Sequence, residues 1–194
     1  MPPMPCSRPH TAEHAGPLPT ISTISGPNRI VVSKPMGDNV TDPLLIERRG
    51  AVEVWTLNNP ERRNPVTGTE FIATFAEHMA RVNDSGDVGA VVLTGAGSAF
   101  STGGDVKAMA RREGMFDADV AALRGSYRKN VQSIPRLMSL NEVPFVAAVN
   151  GPAVGAGCDL AFMCDLRIAS EKAFFAESFV KLGLIPGELR RDAA

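Results

Sequence analysis

Two uninterrupted apolar runs, DVGAVVLTG (87–95) and VPFVAAVNG (143–151), decide most of what this 194-residue chain can become. A strand wetted on one face alternates apolar and polar residues. A run that is apolar throughout must be covered on both faces, as inside a parallel sheet with helices packed on it. Each run ends in glycine, so the chain leaves each strand through a tight turn.

The segments around these runs supply the covering elements. LLIERR and AVEVWTL read as two strands joined at Gly50, a hairpin-like start. TGTEFIATFAEHMARVN places Phe71, Ile72, Phe75, Met79 and Val82 at helical spacing, which predicts an amphipathic helix. Between Asp119 and about Leu140, a second stripe carries Val120, Leu123, Tyr127, Val131, Ile134 and Met138. This predicts one helix, kinked or ended by Pro135 near its last turn. DLRIAS reads as a further short strand. Strands alternating with helices give an α/β domain with mostly parallel pairing.

The first 43 residues are of another kind. They hold nine of the fifteen prolines and no aromatic residue. Such a segment buries too little apolar surface to offset the entropy of ordering it, so residues 1–43 are expected to be a disordered extension ahead of a domain over 44–194. HTAEH (10–14) matches a zinc-peptidase helix pattern, but Pro9 and Pro17 bracket it and no apolar periodicity supports a helix there. No metal site is expected. Met36 offers an alternative start just before the regular part begins.

Charge and cysteine content remove several classes of function. A formal net charge of -1 provides no basic field for nucleic acid. No apolar stretch approaches membrane-spanning length, and the N-terminus lacks a secretory layout. Cys6, Cys158 and Cys164 have neither framework nor zinc spacing and read as free thiols, which points to a soluble cytoplasmic protein.

The chemistry is concentrated in the turns that follow the apolar runs. In LTGAGSAFSTGGDVKAM (93–109), GAGSAF departs from a dinucleotide fingerprint because its third glycine position is Phe100 and no helix opens there. What remains is a loop ending Gly103-Gly104-Asp105, where the backbone can approach a ligand closely and present N–H groups. The second turn, GPAVGAG (151–157), leads into DLAFMCD, which looks helical, and N–H groups at a helix start bear partial positive charge. Two such loops can converge on one oxygen and form an oxyanion hole. Asp159, a single acid among glycine, alanine and apolar residues, stands just after the second turn.

Four stretches together resemble the crotonase superfamily, the enoyl-CoA hydratase/isomerase family. They are LNNPERRNPV (57–66), SAFSTGGDVKAM (98–109), VPFVAAVNGPAVGAGCDLAFMCDLRIAS (143–170) and AFFAESFVKLGLIPGE (173–188). The resemblance implies a crotonase-like spiral of ββα units, usually assembled as homotrimers or pairs of trimers. It implies acyl-CoA substrates and a stabilised enolate, with no cofactor beyond the CoA of the substrate. It also implies site residues. The Gly104 and Ala156 N–H groups hold the thioester oxygen, and Asp159 takes the place of a catalytic acid that is normally glutamate. Thr102, Gly103, Asp105, Val106 and Gly155 line the thioester path, and Arg63 and Pro65 contact the CoA.

Two departures from the family pattern shape the expectation. The hydratases carry a second glutamate 20 residues after the first, and this chain has Phe179 there. One carboxylate suffices to move a proton between neighbouring carbons, so isomerisation by Asp159 alone is the alternative activity, and Glu177 and Glu188 are the nearby acids. The chain also ends in GELRRDAA, where the family continues into a helical C-terminal part. The expectation is therefore a truncated domain with weakened turnover, or a catalytically silent acyl-CoA-binding or assembly subunit.

Overall fold

A computed structural model describes residues 42–184 of the chain. The expected disorder before residue 42, the HTAEH stretch, the alternative start at Met36 and the acid Glu188 all lie outside the described residues.

The hairpin at Gly50 is present. Strands β1 (Leu44–Arg49) and β2 (Val52–Leu57) pair antiparallel with Leu44 opposite Leu57, and Gly50 makes the turn at φ +64°. Both apolar runs are strands, β3 (Ala90–Gly95) and β4 (Phe145–Val149). β2, β3, β4 and a later strand, β6 (Leu166–Ala169), pair in parallel, which gives the five-stranded order β1-β2-β3-β4-β6. A second, two-stranded sheet joins β5 (Ala153–Val154) to β7 (Phe175–Ala176). The parallel α/β architecture expected from the apolar runs is the architecture observed.

Helix α1 (Thr69–Ser85) covers this sheet with the predicted stripe, burying Phe71, Ile72, Phe75, Met79 and Val82. It stops where Gly86 takes the left-handed conformation at φ +62°, a helix ending that glycine adopts without a Cβ penalty. The core centres on Trp55, fully buried and edge-on to Phe75 at 5.7 Å and to Phe145 at 5.3 Å. Its indole N–H donates to Glu53 Oε2, a carboxylate buried with it. Arg81 clamps that carboxylate through both terminal nitrogens, at 2.9 and 2.6 Å. Polar groups buried in a sheet are costly unless satisfied in this way.

The segment 119–140 differs from expectation. It forms two helices, α3 (Val120–Lys129) and α4 (Ser133–Ser139). The break falls at Asn130, whose Nδ2 turns back to the Ser126 carbonyl while its own carbonyl accepts from the Ser133 hydroxyl. Pro135 therefore lies in the first turn of α4, where its missing N–H costs nothing. Val120, expected on the buried stripe, is 87% exposed, and burial begins only towards Val131 and Ile134. The β6 edge is likewise open, with Leu166 64% and Ile168 61% exposed. No described helix is long and apolar enough to cross a membrane.

Candidate active site

Three loop segments meet beyond the carboxyl ends of β3 and β4, and a short parallel backbone ladder knits them together. Pro65 bridges to Gly103, and Ser101 bridges to Ala153. The Val66 N–H donates to the Gly103 carbonyl at 2.9 Å, Thr102 N–H to Arg63 O at 3.0 Å, and Val154 N–H to Ser101 O at 2.9 Å. Ser101 is fully buried; its hydroxyl donates to Asn64 O at 2.7 Å and accepts from the Gly103 N–H at 3.0 Å. The glycine loop is thereby tied to both neighbouring segments before any ligand is present.

The two glycine turns do converge. Gly103 has φ +77°, and a methyl placed on it would stand 2.8 Å from the Ala156 nitrogen and 3.1 Å from the Gly157 nitrogen. Helix α5 (Ala156–Met163) starts at Ala156, and Gly155 before it takes φ 54° and ψ -128°, a conformation essentially reserved for glycine. Gly104, Ala156, Gly155, Thr102 and Val106 all line one cavity of about 100 Å³. Among the described residues, neither the Gly104 N–H nor the Ala156 N–H donates to another backbone group in the turns and loops. Ala156 is the first residue of its helix, where backbone N–H groups have no intrahelical acceptor.

A larger cavity of about 490 Å³ shares Thr102, Gly104 and Val106 with the first and contains Arg62, Arg63, Lys107 and Pro65. Glu61 and Asp105 line it too, and Arg62 pairs with Asp105, so Arg63 and Lys107 beside the glycine-rich mouth are the cations best placed for phosphate groups. Arg63 sits at φ 58° on the turn that ends a short 3-10 segment, Pro60–Arg62, and this turn sets its side chain out into solvent.

Asp105 borders the same cavity with its carboxylate engaged on both sides. It caps α2 (Val106–Arg111) by accepting from Lys107 N–H at 3.1 Å and Ala108 N–H at 3.0 Å, and it forms an ion pair with Arg62. Its position in the loop is as expected; its side chain shapes the loop.

Asp159 lies in the first turn of α5, three residues after Ala156, and is 1% exposed. It stands outside the residues that line the 100 Å³ cavity. Phe179 does line that cavity, and its ring tip comes within 4.0 Å of a methyl built on Gly155. The aromatic ring thus occupies the neighbourhood of the two N–H groups. Glu177 is exposed and turned instead toward the buried Cys158 thiol. Burial, with the Glu177 carboxylate and the Asp159 charge adding to it, pushes that thiol up to about 12. Cys158 and Cys164 are both buried free thiols. Among the described residues, no group of three or more His, Cys, Asp or Glu side chains could hold a metal ion.

Sequence reasoning passed over Asn64 and Thr67. Asn64 is 1% exposed at φ 56°; its Nδ2 reaches the carbonyls of Ala96, Ala99 and Phe100, and its Oδ1 accepts from Asn59 N–H. Thr67 Oγ1 accepts from Asp105 N–H at 3.1 Å. Both fall in the NPVT run (64–67), and an asparagine that follows two arginines and precedes a proline was the available signal.

Known proteins resemble this chain in sequence and in fold. The enoyl-CoA hydratase/isomerase family model matches residues 47–192. A probable enoyl-CoA hydratase of Mycobacterium tuberculosis is 42% identical over 146 residues, covering 75% of this chain and 54% of that protein. A probable mitochondrial enoyl-CoA hydratase of Dictyostelium discoideum is 35% identical over 141 residues, covering 73% of this chain and 47% of that one. A solved enoyl-CoA hydratase/isomerase from Mycobacterium paratuberculosis superposes with a TM-score of 0.66 at 34% identity, covering 76% of this chain and 57% of its own. The chain spans about half the length of the curated relatives it matches. With the parallel sheet, the paired glycine turns and these matches in agreement, the chain belongs to the enoyl-CoA hydratase/isomerase family of the crotonase superfamily.

Proposed function

We propose that this chain binds an acyl-CoA thioester and stabilises its enolate. The carrying observation is that Gly104 and Ala156, from two different loops, line one cavity. In this reading the thioester oxygen accepts from both N–H groups, and the CoA phosphates lie toward Arg63 and Lys107. The Asp159 carboxylate, buried three residues after Ala156 and outside the cavity lining, turns toward the bound thioester to remove the α-proton. The C–H pair becomes the Cα–C1 double bond while the carbonyl π pair moves onto the oxygen. Preorganised N–H donors aimed at that developing charge are commonly worth about 3–4 kcal/mol each. With a 3-enoyl-CoA the product of this step is a dienolate, and returning the proton to its γ-carbon shifts the double bond to the α,β position and completes isomerisation. Adding water to the β-carbon needs a further group to activate the water.

Phe179 favours the isomerase branch. It stands in the cavity where the family's second glutamate would serve, and an apolar ring neither activates nor orients water. Assembly into trimers or pairs of trimers belongs to the same proposal, as does a soluble protein that needs no cofactor besides CoA.

The test is α-proton exchange of a saturated acyl-CoA in heavy water, with and without Asp159→Asn. Exchange that disappears in the variant supports the enolate reading and places the base at Asp159. Exchange that survives Asp159→Asn moves the base elsewhere. A folded chain that binds CoA thioesters without exchanging protons is the silent binding subunit instead.

A further inference from the structure

One aromatic ring, Phe116, borders two cavities. On one side is the 100 Å³ cavity at the Gly104 and Ala156 N–H groups, walled by Val106, Met109, Tyr127, Val131 and Phe179 besides Phe116 itself. On the other is a cavity of about 330 Å³ that contains Leu57, Phe71 and Met115 together with Arg62, Glu70 and Glu113. We infer that this chain takes a short acyl group of about four carbons, and that Phe116 is the residue setting that limit. The inference rests on the acyl-thioester reading above.

The orientation follows from charge and polarity. Cations line the 490 Å³ cavity on one side of Gly104, and apolar side chains line the 100 Å³ cavity on the other. A thioester oxygen held between them sends its CoA toward the cations and its acyl group into the apolar space. Size then sets the length: an apolar protein cavity of about 150 Å³ accommodates the six carbons of benzene, so 100 Å³ takes about four.

The far wall is built to hold. Phe116 is 6% and Val131 3% exposed. The Phe116 ring packs edge-on to Tyr127 at a centroid distance of 6.0 Å. The short 3-10 segment that carries it, Gly114–Phe116, is tied to α3 by the Ser126 hydroxyl, which donates to Met115 O at 2.8 Å. A longer chain would have to displace this ring to reach the second cavity, whose lining includes Leu57, Phe71 and Met115.

The experiment is titration calorimetry of the full chain with free CoA and with acetyl-, butyryl-, hexanoyl- and octanoyl-CoA. Affinity should rise about fourfold per methylene from acetyl to butyryl, then level off or fall from hexanoyl onward. Phe116→Ala should let the rise continue to octanoyl-CoA while leaving the affinity for free CoA unchanged. Circular dichroism verifies its fold, and Phe116→Leu serves as the milder variant. Wild-type affinity that keeps rising through octanoyl-CoA overturns the length limit and leaves the acyl-thioester reading standing. A break at butyryl-CoA that neither variant moves overturns the role of Phe116. Acyl-CoAs that bind no more tightly than free CoA at every length overturn both readings.

Discussion

Gly103 and Ala156, 53 positions apart in the chain, are packed so closely that no side chain fits between them. A methyl on Gly103 would stand 2.8 Å from the Ala156 nitrogen, and the residue already sits at φ +77°. The neighbouring Gly104 has neither constraint, since its nearest foreign atom would be Thr67 Cγ2 at 3.5 Å. Gly103→Ala should therefore cost about 2–3 kcal/mol and spread the two turns apart. Gly104→Ala should cost less than about 1 kcal/mol. Denaturant unfolding of the two variants checks the contrast, and equal costs would contradict the packing argument.

Asn64 holds three carbonyls of the 96–100 turn with a single amide group. Asn64→Ala takes this donor from the Ala96 and Phe100 carbonyls and this acceptor from the Asn59 N–H, and leaves Ala99 O with only the long bond from Asn150. The expected loss is about 3 kcal/mol, larger than for an ordinary surface asparagine. Asn64→Asp, which keeps the shape and loses the donors, should be nearly as damaging. Thermal melts showing less than a few degrees of change in either variant would count against this role.

Stability should fall in acid through Glu53. The Arg81 guanidinium, with Trp55 and Arg48 assisting against the cost of burial, holds its carboxyl down to about 2, from an ordinary value of 4.5. Because the folded value is depressed, the stabilisation is fully present above about pH 4.5 and is lost as pH falls toward 2. Its size is on the order of 2 kcal/mol. Glu53→Gln should flatten that part of the stability profile. An unchanged slope between pH 5 and 2 in the variant would assign the acid sensitivity to other groups.

Phe179→Glu tests whether the missing second acid is what limits hydration. The position faces the cavity beside Gly155, so a carboxyl there stands near the two N–H groups. Under the enolate reading, hydration of a short enoyl-CoA should rise about tenfold or more, within the range a positioned acid–base group contributes. Hydration unchanged in the folded variant would mean that Phe179 is not the obstacle. The ratio of hydration to isomerisation, followed by product analysis, is the quantity to measure.

How far the sequence predicted this arrangement depended on the range of the interactions. Elements defined by their own periodicity were legible: the α1 stripe from Phe71 to Val82, the two apolar strands and the hairpin at Gly50 all stand as expected. The 119–140 stripe misled because Asn130, through bonds to Ser126 and Ser133, ends a helix that Pro135 alone would have allowed to continue. The convergence of the two glycine turns was legible as a pattern. Asp105 as a helix cap rests on Lys107 and Ala108, two and three positions on, a local signal that the loop reading passed over. Asn64, which joins its own turn to the 96–100 turn, depended on contacts 32 to 36 positions away that no local spacing records.

The parallel pairing of β3 with β4 has a consequence in time. Val91 meets Phe145 across a separation of 54 positions, and the helices α2, α3 and α4 lie between them. Closing so long a loop is entropically costly and slow compared with forming α1 or the β1–β2 hairpin. Gly104 and Ala156 lie in the connections beyond those two strands, so they meet only after the strands have zipped together. During refolding, helical signal should return first and ligand affinity last, and a chain caught between the two would look folded by circular dichroism while binding nothing.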